Sequence, residues 1–372
     1  MRIVFTGGGT GGHFFPIVAI ARELKRIAEE ERILDLELFY FGPNRYQPEV
    51  MQEEEILFLH ITSGKLRTYF SLWNVVDVFK IAVGIVEALI KLFYVMPDIV
   101  FGKGGYGSFP TLLVARLYRI PVIIHDSDSV PGRVNQWAGG WARRIAISFP
   151  SAAAYFPSGR TALTGNPVRK RILTGNVEHA RESLGVFSNR PVILVIGGSQ
   201  GARIINHVVV QILVSLVSQF EVVHQTGQLD FEDVQLETAS ILKNGAEAYY
   251  HQFSFLDEER MRSAYALADL VVSRAGATTI FEIAAVGKPS VLIPLGIAKQ
   301  DHQRKNAVDY GSQGGAIVVE EENLTPSVLL NEVQKLMADS KRRAEMSQSA
   351  KSFARLDAAE LIAREIMNIG IH

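Results

Sequence analysis

The chain has 372 residues, with 38 basic and 39 acidic side chains, 48% hydrophobic residues and no cysteine. These numbers exclude a disordered, collagenous or disulfide-stapled protein, cysteine nucleophiles and cysteine metal sites, and a whole-protein field that would gather nucleic acid. The length suggests two domains, and the lack of cysteine fits the cytosol.

A strand is predicted at residues 2–6, and it passes directly into glycines. No apolar signal core with a small-residue cleavage site precedes it, so export is not expected. Gly7-Gly8-Gly9-Thr10-Gly11-Gly12-His13 then leads into an amphipathic helix predicted to start near Pro16. Backbone NH groups and a helix N-terminus converge there, a geometry that binds anions. Gly7, Gly9 and Gly12 also match the dinucleotide fingerprint, which requires a carboxylate after the second strand. That strand, predicted at 36–41, is followed by Gly42-Pro43-Asn44. A nicotinamide or flavin enzyme is therefore disfavoured, and a phosphate cradle or a merely tight turn remains.

After a strand at 56–61, residues 75–96 would make a helix of about 33 Å, long enough to span a bilayer. Asp77, Lys80, Glu87 and Lys91 would cost roughly 10 to 14 kcal/mol at the bilayer centre, against roughly 4 to 8 returned by the apolar side chains. The segment is not expected to span. With Gly84, these charges recur at spacings of three and four, forming one narrow polar stripe on an otherwise apolar helix. Further strands are predicted at 98–101, 122–125 and 145–148. The first of them ends in Gly102-Lys103-Gly104-Gly105-Tyr106-Gly107-Ser108, a second glycine loop that carries a cation and a phenol.

A turn at Gly165-Asn166-Pro167 marks the expected domain boundary. Strands follow at 192–196, 221–225, 248–252, 270–273, 290–293 and 316–319, and the chain ends in helices. Short β-branched runs alternating with helical patterns indicate parallel sheets with helices on both faces. Gly197-Gly198-Ser199-Gln200-Gly201-Ala202 repeats the strand, glycine turn and helix device. Glycine loops at the carboxyl ends of strands in two domains favour a phosphate-bearing ligand in the cleft between them.

The run from Ser273 to Glu282 joins a strand to a helix through small residues. NH groups of Ala277, Thr278 and Thr279 are placed to receive a diphosphate, and Glu282, one turn on, to take two ribose hydroxyls. The alternative is a capping box, for which Thr279 and Glu282 have the spacing. The polar loop after Pro294 leads to Gln303 and Asn306, whose amides suit sugar hydroxyls because they both donate and accept.

These motifs occur in the order and spacing of the MurG family. They are Gly-Gly-Thr-Gly-Gly-His with Pro16 three residues on, Gly-Gly-Tyr-Gly-Ser, Gly-Asn-Pro-Val-Arg, Gly-Gly-Ser-Gln-Gly-Ala, Ser-Arg-Ala-Gly-Ala and Asp-His-Gln-x-x-Asn-Ala. The chain resembles that family of N-acetylglucosaminyltransferases, which convert lipid I to lipid II in peptidoglycan synthesis, from Met1 to about Leu336. The resemblance implies an α/β protein of the glycosyltransferase B fold, with two Rossmann-like domains whose parallel sheets face across a cleft. An acceptor and membrane-side domain would span residues 1–164, joined by a final helix at about 355–372. A UDP-sugar domain would span 165–354. It further implies UDP-N-acetylglucosamine as donor, lipid I as acceptor, an inverting reaction without metal or cofactor, and a peripheral site on the cytoplasmic face of the cell membrane.

By position, Glu282 resembles the residue that grips the donor ribose, and Ala277, Thr278 and Thr279 the backbone donors to the diphosphate. Leu256 matches the apolar residue beside the uracil, Ser199 and Arg169 match phosphate contacts, and Gln303, Asn306 and Asn135 match contacts with N-acetylglucosamine. Thr10, Gly11, Gly12 and His13 lie on the loop facing the reacting centre, while Gly104, Gly105 and Tyr106 belong to the acceptor side. One segment departs from the pattern. Where the family has His-Glu-Gln-Asn-Ala before Pro-Gly, this chain has His125-Asp126-Ser127-Asp128-Ser129 before Pro131-Gly132, so the acid is one methylene shorter and two amides are lost.

The implied chemistry needs charge stabilised on the departing UDP and a proton removed from the attacking 4-hydroxyl. The helix N-terminus after Gly276, the Ser199 loop and Arg169 suit the first task. His13 is the first candidate base, because a helix N-terminus disfavours imidazolium. Asp126 is its rival, and a purely structural or phosphate-binding His13 is the third possibility. The 75–96 helix, with Tyr69, Phe70, Leu72 and Trp73 before it and Lys65, Arg67 and Lys91 near, is expected either to dock on anionic lipid or to pack inside the first domain. Other enzymes compatible with the sequence are a transferase of the same fold acting on another lipid such as diacylglycerol, and a UDP-N-acetylglucosamine epimerase. A sugar-nucleotide sensor without catalysis is a further possibility.

Overall fold

The computed structural model describes residues 1–9, 11–33, 35–65, 73–198, 201–296 and 301–371. The chain divides into two compact units, Met1–Val168 with Arg355–His372 (unit 1) and Arg169–Ala354 (unit 2).

Unit 1 holds strands β1 (Arg2–Thr6), β2 (Glu37–Gly42), β3 (Ile56–His60), β4 (Ile99–Gly102), β5 (Val122–Asp126), β6 (Arg144–Ile147) and β7 (Thr161–Leu163). Its helices are α1 (Gly11–Glu30), α2 (Pro48–Glu53), α3 (Trp73–Val95), α4 (Phe109–Leu117) and α5 (Arg133–Gly139). Unit 2 follows with α6 (Val177–Leu184), β8 (Val192–Ile196), α7 (Arg203–Val217), β9 (Glu221–Gln225), α8 (Phe231–Ile241), β10 (Tyr250–Phe253) and α9 (Glu258–Leu267). It continues through β11 (Ala268–Ser273), α10 (Ala277–Val286), β12 (Ser290–Leu292), α11 (His302–Ser312), β13 (Ala316–Val318), α12 (Pro326–Ala338) and α13 (Ser340–Phe353). The last helix, α14 (Ala358–Ile371), returns to unit 1.

Among the described residues, unit 1 carries a seven-stranded sheet of order β3-β2-β1-β4-β5-β6-β7 and unit 2 a six-stranded sheet of order β10-β9-β8-β11-β12-β13. All of these pairings are parallel. Strand order therefore reverses between β1 and β4 in unit 1 and between β8 and β11 in unit 2. Loops leaving the carboxyl ends of such a strand pair diverge and open a crevice for ligand. The three glycine-rich loops and the Ser273–Glu282 run leave these four strands. β7 was not expected, because its three residues are half-buried or exposed and lack an apolar run.

Both faces of the unit 1 sheet are covered, as alternation along β1 requires. Ile3 and Phe5 pack with Phe14, Ile17 and Leu24 of α1 and with Ile362 and Ile366 of α14. Val4, pointing the other way, joins Val100, Ile124, Leu112 of α4 and Leu92 of α3. In unit 2, Ile193 and Val195 pack with Ile205, Val209 and Leu213 of α7 and with Leu329 and Val333 of α12.

Helix α1 begins at Gly11 rather than near Pro16, so the glycine run supplies the first turn and Pro16 lies inside the helix. His13 is consequently a first-turn residue.

Helix α3 is inverted relative to an ordinary surface helix. Its buried positions are Asp77, Gly84, Ala88 and Leu92, whereas Phe79, Val83, Val86, Ile90 and Phe93 are exposed. Apart from the exposed Lys80, the polar stripe faces the protein: Glu87 accepts from the Thr62 backbone NH at 2.6 Å and its hydroxyl at 3.1 Å, and Lys91 donates to the His60 carbonyl. Gly84 permits this approach, since a Cβ there would stand 1.8 Å from the Thr62 carbonyl oxygen. The segment is thus a surface helix that adds Ala88 and Leu92 to the unit 1 core on one side and leaves an apolar face exposed on the other. Among the described residues, no helix is long and apolar enough to cross a membrane.

Candidate active site

In unit 1 the two loops of the β1/β4 switch point press against His13. A Cβ on Gly8 would lie 2.9 Å from the imidazole Nδ1 and Cε1, and one on Gly105 would lie 3.1 Å from Nε2. Gly104 and Gly105 adopt φ of 81° and 78°, a region that favours glycine, and a Cβ on Gly104 would strike the Asn135 amide at 2.7 Å. Only glycine lets these loops close on the histidine. Burial, with the Lys103 ammonium second and opposed by Asp128, lowers the His13 pKa to about 4. His13 is therefore neutral at pH 7.

Asp126 ends β5. Its Oδ2 accepts from Asn135 Nδ2 at 2.8 Å and from the Gly132 NH at 3.2 Å, while Oδ1 accepts from the Asp128 NH at 3.0 Å. Both oxygens thus hold the turn from 126 to 132. Burial, and then the charge of Asp128, raises the Asp126 pKa to about 6. Asn135 also donates to the His125 carbonyl at 3.0 Å. With both bonds made to pure acceptors its Nδ2 is fixed as the donor, and its buried Oδ1 has no partner among the described residues. Tyr106 stands half-exposed beside this cluster in the loop after Gly105.

In unit 2 the site gathers at the β8/β11 switch point. Helix α10 starts at Ala277 behind Gly276, where an added Cβ would meet nothing within 4 Å among the described residues, so space is open beside the cap that leads into the first turn of Ala277, Thr278 and Thr279. The capping-box alternative fails here: Gly276 is the cap, and Thr279 is already inside the helix. Glu282 pairs with Arg169. Arg169 Nη2 and Nε reach its Oε1 at 2.7 and 3.1 Å, with both side chains 6% exposed, and Tyr265 OH approaches Oε2 at 3.4 Å. Asn306, fully buried, points Nδ2 at the Ala275 carbonyl at 3.5 Å, and Gln303 accepts from the Leu295 NH at 3.1 Å. These amides tie α11 to the loops after β11 and β12. Leu256 is buried, its NH held by Gln225 Oε1 at 3.2 Å. Thr10 and Ser199 lie outside the described residues.

The structure thus brings His13, Gly104, Gly105, Asp126 and Asn135 together in unit 1, and Arg169, Glu282, Asn306 and the first turn of α10 in unit 2. Sequence reasoning overlooked Tyr265 beneath Glu282 and the inward course of Lys103. A lysine inside a glycine loop was the available signal for the latter.

Two Rossmann-like parallel sheets with glycine loops at each switch point define the glycosyltransferase B fold. Residues 3–147 match the glycosyltransferase family 28 N-terminal domain and residues 192–362 its C-terminal domain. The UDP-N-acetylglucosamine–N-acetylmuramyl-(pentapeptide) pyrophosphoryl-undecaprenol N-acetylglucosamine transferase of Lachnospira eligens is 38% identical over 340 residues, 91% of each chain. The enzyme of that name from Legionella pneumophila is 37% identical over 90% of this chain and 88% of its own. The crystal structure of Acinetobacter baumannii MurG superposes with a TM-score of 0.73 at 27% identity over 99% of both chains. A UDP-N-acetylglucosamine 2-epimerase from Neisseria meningitidis, at 14% identity and a TM-score of 0.69 over 99% of this chain and 100% of its own, shares the fold alone. The chain belongs to glycosyltransferase family 28 and, within it, to the MurG group of N-acetylglucosamine transferases.

Proposed function

We propose that the chain transfers N-acetylglucosamine from UDP-N-acetylglucosamine to the 4-hydroxyl of the muramyl sugar of lipid I, forming the β-1,4 link of lipid II with inversion. The observation that carries the donor half is the open first turn of α10 with a buried carboxylate one turn further along. An anion is favoured at such an N-terminus, and a carboxylate below it accepts from ribose hydroxyls. Ala277, Thr278, Thr279 and Arg169 take the diphosphate in this reading, with Ser199 in support. Glu282 takes the ribose, Leu256 lies against the uracil, and Gln303 and Asn306 face the sugar. Unit 2 is the donor unit.

Unit 1 is the acceptor unit, with Gly104, Gly105 and Tyr106 lining the acceptor and Thr10, Gly11 and Gly12 facing the reacting centre. His13 is the base: it is neutral, it sits at the switch point, and its ring is clamped on two sides, which limits the entropy lost on reaction. Asp126, with both oxygens occupied, holds the turn instead of taking the proton. The unpaired Oδ1 of Asn135 supports a contact with a sugar NH or hydroxyl. The deciding experiment is UDP release from UDP-N-acetylglucosamine with and without a lipid I analogue. Release that requires the analogue, with a disaccharide product, is expected. Release without acceptor would favour epimerase chemistry, and release only with another lipid would move the acceptor.

The polyprenyl acceptor places the enzyme at a membrane surface, and the outward apolar face of α3 is the proposed contact, with exposed Lys65 and Lys80 for anionic lipid. Tyr69, Phe70, Leu72 and Arg67 lie outside the described residues. Phe79 and Phe93 are 69% and 63% exposed. Changing both to serine is expected to weaken binding to phosphatidylglycerol vesicles at least tenfold, since each phenyl ring that enters lipid contributes about 1.5 to 3 kcal/mol. Unchanged sedimentation with vesicles would remove this face from the account.

A further inference from the structure

Lys103 is the most deeply enclosed cation of unit 1 that the reading above leaves without a task. It follows Gly102 at the end of β4, is 3% exposed, and has its NH bound to the Thr6 carbonyl at 2.8 Å. Its ammonium meets His125 Nδ1 at 2.7 Å, Asn166 Oδ1 at 3.5 Å and the Ser127 hydroxyl, which itself donates to Asn166 Oδ1 at 2.9 Å. His125 Nε2 faces the Gly165 carbonyl at 3.1 Å. A carbonyl only accepts, so Nε2 carries the proton and Nδ1 presents its lone pair to Lys103.

Each of these three partners is neutral. A buried ammonium with neutral partners alone is costly, and anions must stand close by. The titratable and charged groups facing Lys103 are His125, Asp126 and Asp128 from β5 and the turn after it, and His13 from the first turn of α1. Ser127 and Asp128 occupy the positions of the two lost amides, within a segment that departs from the family pattern at Asp126 and Ser129 as well. The departure and the lysine therefore form one set: the serine is short enough to admit the ammonium, and the aspartate balances it.

We propose that Lys103 is a positioning residue of the transfer reaction, pinning the 125–128 turn through His125 and Ser127 and supplying, in balance with Asp128, the charge against which His13 and Asp126 work. This rests on the reading of His13 and Asp126 as groups at the reacting centre, but not on which of them takes the proton. Burial pulls the Lys103 pKa down to about 8 while Asp126 and Asp128 hold it up, so it remains a cation at pH 7. Its charge lowers the pKa of both His13 and Asp126, and that of Asp128 raises both.

The test is the pH dependence of kcat/KM for lipid I-dependent UDP release in the full chain. Lys103→Met is expected to reduce kcat at pH 7 about tenfold or more and to move the acid limb up by about one pH unit, with the KM for donor unchanged. Asp128→Asn should move the same limb down, and the double variant should return it toward wild type. The opposed shifts distinguish charge from scaffolding, because a merely structural loss lowers the rate without moving the limb. Should Lys103→Met fail to fold by thermal melting, the downward shift in Asp128→Asn decides the matter alone. Coincident profiles, or shifts of one sign in both variants, overturn the proposal. A wild-type chain that releases no UDP with lipid I would overturn the underlying reading, and this inference with it.

Discussion

Replacing His13 by alanine should lower kcat for lipid I-dependent transfer about 10²- to 10⁴-fold, the usual contribution of a positioned general base, while leaving the KM for UDP-N-acetylglucosamine within about twofold. The ring is held by Gly8 and Gly105 in unit 1, and no donor contact is assigned to it, so the loss belongs in turnover. The pH profile separates the two candidate bases. A base works deprotonated, and activity falls as pH drops through its pKa. With His13 near 4 and Asp126 near 6, a histidine base predicts a rate sustained well below pH 6, and an aspartate base predicts decline at about 6. If its oxygens serve only the turn, Asp126→Asn should lower activity through a loosened turn, since an amide offers one acceptor where both oxygens accept, without moving the acid limb. Near wild-type turnover in His13→Ala at saturating substrates, with a limb near 6 that vanishes in Asp126→Asn, would assign the proton to Asp126.

Glu282→Ala is expected to weaken UDP-N-acetylglucosamine binding by about ten- to a hundredfold, the value of a charged hydrogen bond lost. It should also destabilise the protein by about 3 to 5 kcal/mol, because the buried Arg169 would lose the carboxylate it is hydrogen-bonded to. Arg169 Nε and Nη2 both donate to Oε1, while Tyr265 OH donates to Oε2 over a long 3.4 Å, and a carboxylate oxygen has two lone pairs, so Oε2 can also accept from a ligand hydroxyl. A double variant, Arg169→Met with Glu282→Leu, removes both charges and should recover much of the stability but none of the binding. Calorimetry of UDP binding beside thermal melts reads the two effects apart. A Glu282→Ala protein that binds donor as well as wild type and has lost only stability would reduce the pair to a strut within unit 2.

The frame was legible because parallel strands buried on both faces write themselves as short β-branched runs. β1, β8 and β9 occur at the predicted bounds. The glycine loops were legible for a related reason, since a backbone that must close on a neighbouring side chain leaves no room for a Cβ. Facing was harder. The period of α3 reveals a polar stripe, and chemistry alone would turn such a stripe to water; it turns inward because Thr62 and His60 offer partners, which only tertiary packing supplies. Lys103 was hidden in the same way, as a lysine among glycines reads like a phosphate hand until Ser127 and Asn166 are seen enclosing it. Thr279 and Glu282 had the spacing of a cap, but spacing cannot tell that the helix has already begun two residues earlier, at Ala277.

The course of α14 bears on how the molecule is made. Ala359, Ile362, Ala363, Ile366 and Met367 complete the same core as Phe14, Ile17 and Leu24, yet they are added to the growing polypeptide after all of unit 2. The segment that carries His13 therefore emerges from the ribosome before unit 2 and matures after it, with one flank of α1 uncovered throughout synthesis of unit 2. Unit 2, whose residues are contiguous, can fold while translation continues. Premature termination before residue 358 would leave a nascent product with a folded unit 2 and an unfinished unit 1, marking it for degradation.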